Sequence, residues 1–201
     1  MRIGLFGGSF DPVHCGHLML ADSCAQQAAL DAVWFVPAAH QPLKPTGPVA
    51  TDADRLAMLR LAVVDRAHFE VSQLELERGG VSYTVDTLAK VQLQHPEAEL
   101  FFMMGADSLA DLPQWHRPEE ICSLATLLVV RRAGAPDPDF NVLLDFVSAE
   151  RLDRFRDHQV EMTEIPISSS QIRELIATEG DWRKLVPAGV AEYIDKNDLY
   201  R

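Results

Sequence analysis

Cysteine is scarce in this sequence. Cys15, Cys24 and Cys122 are the three among 201 residues, and no C-x-x-C pair occurs. An odd, irregularly spaced set builds no disulfide framework and suits a reducing compartment. Cys15 stands close to His17, but no second ligand pair lies at finger-like spacing, so no protein-held metal is expected. Positive charge is also scarce: 18 Lys and Arg face 30 Asp and Glu, a formal net charge of -12. That balance lacks the basic footprint of a nucleic-acid binder, so DNA and RNA are not expected as partners. A polyanionic substrate would need local positive charge gathered against the global sign. Long apolar runs are missing too. The longest, near Leu124 to Val130, falls far short of the ~20 residues that span a bilayer, and the opening MRIGLFGGSFDP lacks the apolar segment of a signal peptide. A soluble, cytoplasmic protein with no membrane partner is expected. Neither G-x-G-x-x-G nor a P-loop ending in G-K-[ST] is present, which argues against a dinucleotide-binding dehydrogenase and a P-loop enzyme.

What is present is an alternation of apolar, β-rich runs with helix-like stretches, without internal repeats. Ile3–Phe6 and Val33–Val36 read as strands, with a helix from about Gly16 to Leu30 between them. Thr51 is placed to cap a helix reaching about Asp65, with Asp54 as its capping-box partner. Strand-like residues surround Phe69–Leu76, and the acids from Glu70 to Glu77 read as a solvated strand edge. Tyr83 to Gln94 reads as a helix stopped before Pro96. Leu100–Met104 and Leu127–Val130 are continuous apolar runs, as expected of parallel strands buried on both faces. A strand near Val160–Ile165, a helix from about Ser169 to Thr178 and a last helix from Pro187 to about Lys196 complete the pattern. The expected fold is α/β: a single-domain, Rossmann-like, doubly wound parallel sheet over residues 1–201. Its nucleotide-binding core runs to about 166, and a C-terminal helical extension covers about 167–201. In such folds ligands bind beyond the carboxyl ends of the strands. Proline-rich loops at Ala38–Ala50 and Ala133–Asp139 are therefore of interest.

Three segments carry the chemistry. The first strand runs into Gly7-Gly8-Ser9-Phe10-Asp11-Pro12-Val13-His14-Cys15-Gly16-His17. The glycines let the backbone approach a ligand, Ser9 offers a hydroxyl, and a helix N-terminus favours an anion. His14 and His17, three apart on an opening turn, project to the same side. Late in the chain, Ile167-Ser168-Ser169-Ser170-Gln171-Ile172-Arg173 reads as a serine-capped helix start. Arg173, expected in the first turn, would oppose the helix dipole there, a placement that hints at an anionic ligand. The third segment is Gly105-Ala106-Asp107, at the end of a buried strand. Asp107 would reach a sugar hydroxyl or metal ion there, or cap a helix.

GGSFDPVHCGH together with ISSSQIR resembles the nucleotidyltransferase superfamily marked by H-x-G-H. Gln41-Pro42-Leu43-Lys44, Ser82-Tyr83-Thr84, Gly105-Ala106-Asp107, Leu112-Pro113-Gln114-Trp115, Arg131-Arg132-Ala133-Gly134 and the ending Leu199-Tyr200-Arg201 are similar to the bacterial nicotinate mononucleotide adenylyltransferases. The likeness extends in order along essentially the whole chain. It implies that ATP and nicotinate mononucleotide give nicotinate adenine dinucleotide and pyrophosphate, a late step of NAD synthesis. It implies that His14, His17 and Arg173 act on the ATP phosphates, with Lys44 adding positive charge. Gly7, Gly8, Ser9, Phe10, Gly105, Asp107, Ile167, Ser168 and Ser169 would line the ATP site. Tyr83, Thr84, Trp115 and Arg132 would hold the pyridine nucleotide, Thr84 by a polar contact and Trp115 by stacking. Leu43 stands where the family has a histidine, and Ala133 where it has a proline.

The implied chemistry is consistent with the residues present. The attacking phosphate oxygen is already ionised at neutral pH, so no strong general base is needed. The task is to bring two anions together, which positive groups and Mg²⁺ delivered with ATP would allow. Competing readings are an adenylyltransferase for nicotinamide mononucleotide or phosphopantetheine, and a regulatory module that holds ATP without catalysis. The sequence does not decide whether the chain acts alone or as a homo-oligomer.

Overall fold

The computed structural model describes residues 1–43, 46–132, 134, 136–163 and 166–201, with Arg132 described by its backbone. Along these residues the chain forms β1 (Arg2–Gly8), α1 (Cys15–Gln27), β2 (Ala32–Pro37), α2 (Asp52–Val63), β3 (Phe69–Val71), α3 (Leu74–Arg78), α4 (Thr84–Gln94), β4 (Glu99–Gly105), α5 (Ala106–Asp111), α6 (Pro118–Leu124), β5 (Thr126–Arg132), α7 (Ala149–Asp157), β6 (Val160–Met162), α8 (Ser169–Ala177) and α9 (Ala188–Lys196). The strands pair in parallel in the order β3-β2-β1-β4-β5-β6. This is the doubly wound order, reversing between β1 and β4.

Period-two alternation divides the strand side chains between two cores. Val33, Phe35, Phe101, Met103 and Leu128 join one core with Leu18 of α1, Met58 and Leu59 of α2, Ile172 of α8 and Ile194 of α9. Ile3, Leu5, Phe102, Met104 and Leu127 join the other with Leu88 of α4, Ile121 of α6 and Phe155 of α7. Each of these side chains, fully buried, contributes about 1.5–3 kcal/mol. The apolar runs of β4 and β5 are continuous because both faces of the sheet are covered. No helix among the described residues is long and apolar enough to cross a membrane.

Several expectations need correction. The strand expected to reach Leu76 ends at Val71, and Leu74–Arg78 forms α3. Of the acids there, Glu70 on the edge strand β3 and Glu77 are exposed as expected, but Glu75 is buried. Thr51 caps α2, but its hydroxyl donates to the Asp54 carboxylate as well as accepting from the Asp54 N–H; the expected reciprocal backbone bond is replaced by a side-chain one. Pro187 stands just outside α9, at its N-cap. α6 and α7 were not foreseen. Pro118 in the first turn of α6 and the Ser148 cap of α7 are the local signals that start them. Of the strand expected over 160–165, β6 covers Val160–Met162, and Ile165 lies outside the described residues.

Candidate active site

Unequal ladder lengths open a crevice in the sheet. β1 pairs with β2 as far as Gly8 and Pro37, and β4 with β5 as far as Gly105 and Val130. β1 and β4 pair only as far as Leu5 and Phe102. Beyond that rung they part, at the reversal of strand order where such sheets take ligands. Gly7 and Gly8 form one rim and Gly105 the other. A Cβ on Gly105 would meet nothing within 4 Å, so that rim is open.

The loop after β1 is shaped by its own side chains. Phe10 has a φ of +50°, a left-handed conformation that costs a non-glycine residue about 1–2 kcal/mol. Burial of its ring offsets this: the ring is 1% exposed and packs edge-on to Phe6 and His17, with centroids 5.4 and 5.0 Å apart. The ring therefore lies under the loop, packed between Phe6 and His17. Gly8 is glycine because a Cβ there would come within 3.0 Å of that ring. The Ser9 hydroxyl donates to Gln41 in the next loop at 3.2 Å.

His14 and His17 cap α1 reciprocally. The His17 N–H donates to His14 Nδ1 at 3.3 Å, and the His14 N–H donates to His17 Nδ1 at 3.2 Å. The rings stack with centroids 3.6 Å apart. Since each Nδ1 accepts a hydrogen bond, each ring carries its proton on Nε2 in the neutral form, which makes the pair two N–H donors. Gly16 completes the motif, because a Cβ there would come within 3.1 Å of the His14 ring. Burial lowers the His14 pKa to about 4. His14 is thus a neutral donor at physiological pH.

The late segment docks on this loop. Arg173 Nη1 donates to the Asp11 carbonyl at 2.7 Å and lies 3.8 Å from the Asp11 carboxylate. The Ser169 hydroxyl donates to the Pro12 carbonyl at 2.9 Å. Ile167 is packed 3.9 Å from the Cβ position of Gly16. Ser168 is the N-cap of α8, accepting from the Gln171 N–H, and the Ser170 hydroxyl accepts from Arg173. The hydroxyls of all three serines are therefore engaged in holding the segment. Arg173 is the fifth residue of α8, in its second turn and not the first, so the dipole argument for it falls. Its place is set by Asp11.

Asp11 and Arg55 are structural keys that sequence reasoning missed. The Asp11 carboxylate, 3% exposed, accepts from the Val49 and Ala50 N–H groups and from the Tyr200 hydroxyl at 2.8 Å. Burial and this neighbouring negative charge raise the Tyr200 pKa far above its ordinary value, which keeps it a donor. Arg55 is fully buried and donates to the Ser9 and Ala38 carbonyls, both at 2.8 Å, and to Asp52. It ties the loops after β1 and β2 together. A cation on the apolar stripe Arg55, Met58, Leu59, Ala62 of α2 was its detectable signal.

The other expected residues gather across the crevice. Thr84 opens α4, with Tyr83 as its N-cap; first-turn N–H groups there lack helical acceptors. Thr84 lines a small cavity with Leu5, Gly7, Val36, Phe102 and Glu75. Trp115 packs edge-on to Phe102, and its Nε1 is buried with no hydrogen-bond partner among the described residues. His116, not anticipated, lies against Tyr83 with ring centroids 4.4 Å apart. Asp107 is exposed at the second position of α5, whose N-cap is Gly105 and not Asp107. Lys44 and the side chain of Arg132 lie outside the described residues. Among the described residues no group of three or more His, Cys, Asp or Glu is gathered to hold a metal ion.

Known proteins share this plan. The cytidylyltransferase-like family model matches residues 5–175. A Rhodopirellula baltica protein named "Probable nicotinate-nucleotide adenylyltransferase" is 44% identical over 99% of this chain and 93% of its own length. A Thermomicrobium roseum protein of the same name is 42% identical over 100% of this chain and 92% of its own. The solved structure of Plasmodium falciparum nicotinic acid mononucleotide adenylyltransferase complexed with NaAD superposes with a TM-score of 0.77. It is 21% identical, covering 99% of this chain and 97% of that one, and so speaks for the fold. Near-complete coverage at this identity makes the chain a member of the nicotinate-nucleotide adenylyltransferase family of cytidylyltransferase-like proteins.

Proposed function

We propose that the chain transfers the adenylyl group of ATP to nicotinate mononucleotide, giving nicotinate adenine dinucleotide and pyrophosphate in NAD biosynthesis. The observation that carries this reading is the docking of α8 on the loop after β1. Arg173 reaches Asp11 of the loop that ends in the His14–His17 pair, beside a crevice whose far side offers Thr84 and Trp115. One end suits a triphosphate and the other a flat ring.

In this reading His14 and His17 donate from Nε2 to the triphosphate, Arg173 supplies fixed positive charge, and Lys44 adds charge from the next loop. Backbone groups of Gly7, Gly8, Ser9, Phe10, Ser168 and Ser169 line the nucleotide, with Ile167 packed beside it. Gly105 and Asp107 lie toward the adenosine. Thr84 and the Tyr83 turn meet the pyridine carboxylate, Trp115 stacks on the ring, and Arg132 is assigned to the pyridine nucleotide as a source of positive charge. A phosphate oxygen of the mononucleotide attacks the α-phosphorus of ATP, and the bond to the β-phosphate oxygen breaks. The protein's part is to align two anions and stabilise the charge that moves onto pyrophosphate. Mg²⁺ bound to ATP would neutralise part of that charge. The protein donor set fits an ion held mainly by phosphate oxygens and water. Such an enzyme belongs in the cytoplasm, where its nucleotide substrates are.

The test is pyrophosphate release from Mg-ATP with nicotinate mononucleotide, nicotinamide mononucleotide or phosphopantetheine, each alone. Release with nicotinate mononucleotide far above the other two is expected. Preference for phosphopantetheine, or ATP binding without release, would overturn the assignment.

A further inference from the structure

Glu75 is a buried carboxyl that the reaction as described does not use. It sits on α3 and is 6% exposed. The Thr87 hydroxyl donates to it at 2.6 Å, and the Ser82 hydroxyl bonds to it as well. Ser82 accepts in turn from the Ala39 N–H at 2.9 Å. One carboxyl thus gathers the loop after β2, the Ser82-Tyr83-Thr84 turn and the second turn of α4. It also lines the cavity shared by Leu5, Gly7, Val36, Thr84 and Phe102. The charged groups around it are Arg78 on its own helix and Asp86 on α4; the lining residues of β1, β2 and β4 bring none. Burial raises its pKa above the ordinary carboxylate value, opposed by the two hydroxyls and Arg78 and assisted by Asp86.

We propose that Glu75 is the positioning residue of the acceptor pocket, setting the turn that presents Tyr83 and Thr84, and that the charge on its carboxyl governs how tightly a ring bearing a carboxylate is held. This rests on the reading that the Thr84 side of the crevice takes the pyridine ring. While Glu75 is neutral, the pocket carries no opposing charge. Once it ionises, a second carboxylate in this poorly solvated cavity is repelled, which should weaken binding on the order of tenfold. An acceptor with a neutral amide would escape most of that penalty.

The experiment measures KM for nicotinate mononucleotide, for nicotinamide mononucleotide and for ATP between pH 5 and 9, using the wild-type protein, Glu75→Gln and Glu75→Ala. In the wild type, KM for nicotinate mononucleotide should rise about tenfold with pH relative to that for nicotinamide mononucleotide. Glu75→Gln cannot ionise but keeps an oxygen that accepts from Thr87, so it should flatten the rise. Glu75→Ala should raise KM for the acceptor about tenfold or more throughout, with KM for ATP within twofold; if that variant does not fold, the glutamine profile decides. A Glu75→Gln profile superimposable on the wild type, or equal shifts for both substrates, would overturn the proposal. Wild-type protein with no turnover on nicotinate mononucleotide would instead sink the functional assignment, so the two failures are distinguishable.

Discussion

On the side of the crevice proposed to take the triphosphate, almost every polar group named is already engaged within the protein. His14 and His17 bond to each other's backbone, Arg173 is held by Asp11, and the three serines of α8 are used as cap, tie and brace. On the acceptor side, rings and aliphatic side chains dominate. Trp115 has an N–H unmatched among the described residues, and Glu75 is buried against hydroxyls. The difference matches what each side would do in the proposed reaction. A triphosphate is recognised by donors held fixed at a site of developing charge, where reorganisation would cost rate. A planar ring is recognised by area and shape, with a few polar groups to orient it.

The phosphate side should therefore fail by turnover and the acceptor side by affinity. His17→Ala removes a donor and half of the α1 cap, and Arg173→Ala removes the fixed charge. Each is expected to lower kcat by ~10²–10³, read by pyrophosphate release at saturating substrates, with far-ultraviolet circular dichroism unchanged. A variant keeping near-wild-type kcat would break the comparison.

The next effect is on stability. Between its native pKa of about 4 and the ordinary 6.5, His14 is protonated in the unfolded chain but not in the native one. Its contribution is complete above pH 6.5 and is lost as pH falls toward 4, by up to about 3 kcal/mol. The denaturant midpoint of the wild type should fall relative to that of His14→Asn, which retains a capping side chain but does not titrate, as pH is lowered from 6.5 toward 4. Parallel curves would mean that the ring is not kept neutral by its surroundings.

The same contrast explains what could be read without coordinates. The phosphate side is written in two contiguous segments, Gly7–His17 and Ile167–Arg173, whose spacing puts the histidines on one turn and the serines at a helix start. The doubly wound order followed from buried apolar runs such as Leu100–Met104. Arg55, Asp11 and Glu75 escaped because their importance is set by burial. An arginine on an apolar stripe, an aspartate inside a glycine loop and a glutamate in Leu74–Arg78 look like ordinary surface charges until long-range packing closes over them. The burial of the Phe10 ring escaped for the same reason: the left-handed backbone that turns it into the core leaves no mark in composition or period.

Trp115→Ala is expected to raise KM for nicotinate mononucleotide about tenfold, the equivalent of ~1.4 kcal/mol of lost ring contact, with kcat and KM for ATP little changed. Steady-state kinetics on both substrates provides the check. An effect confined to kcat would move Trp115 to the chemistry and blur the division between the two sides.

The smallest effect concerns Ser168. Its hydroxyl caps α8 by accepting from Gln171, so Ser168→Ala should cost about 1 kcal/mol and Ser168→Asn should restore it. The two variants separate capping from direct contact with the nucleotide. If α8 acts by presenting its backbone and Arg173, KM for ATP will follow the cap: raised with alanine, recovered with asparagine. If the hydroxyl itself binds phosphate, both variants will raise KM equally while thermal unfolding distinguishes them. The first outcome is expected, because a hydroxyl that must leave the Gln171 N–H to reach a ligand would unmake the helix start on which Arg173 depends.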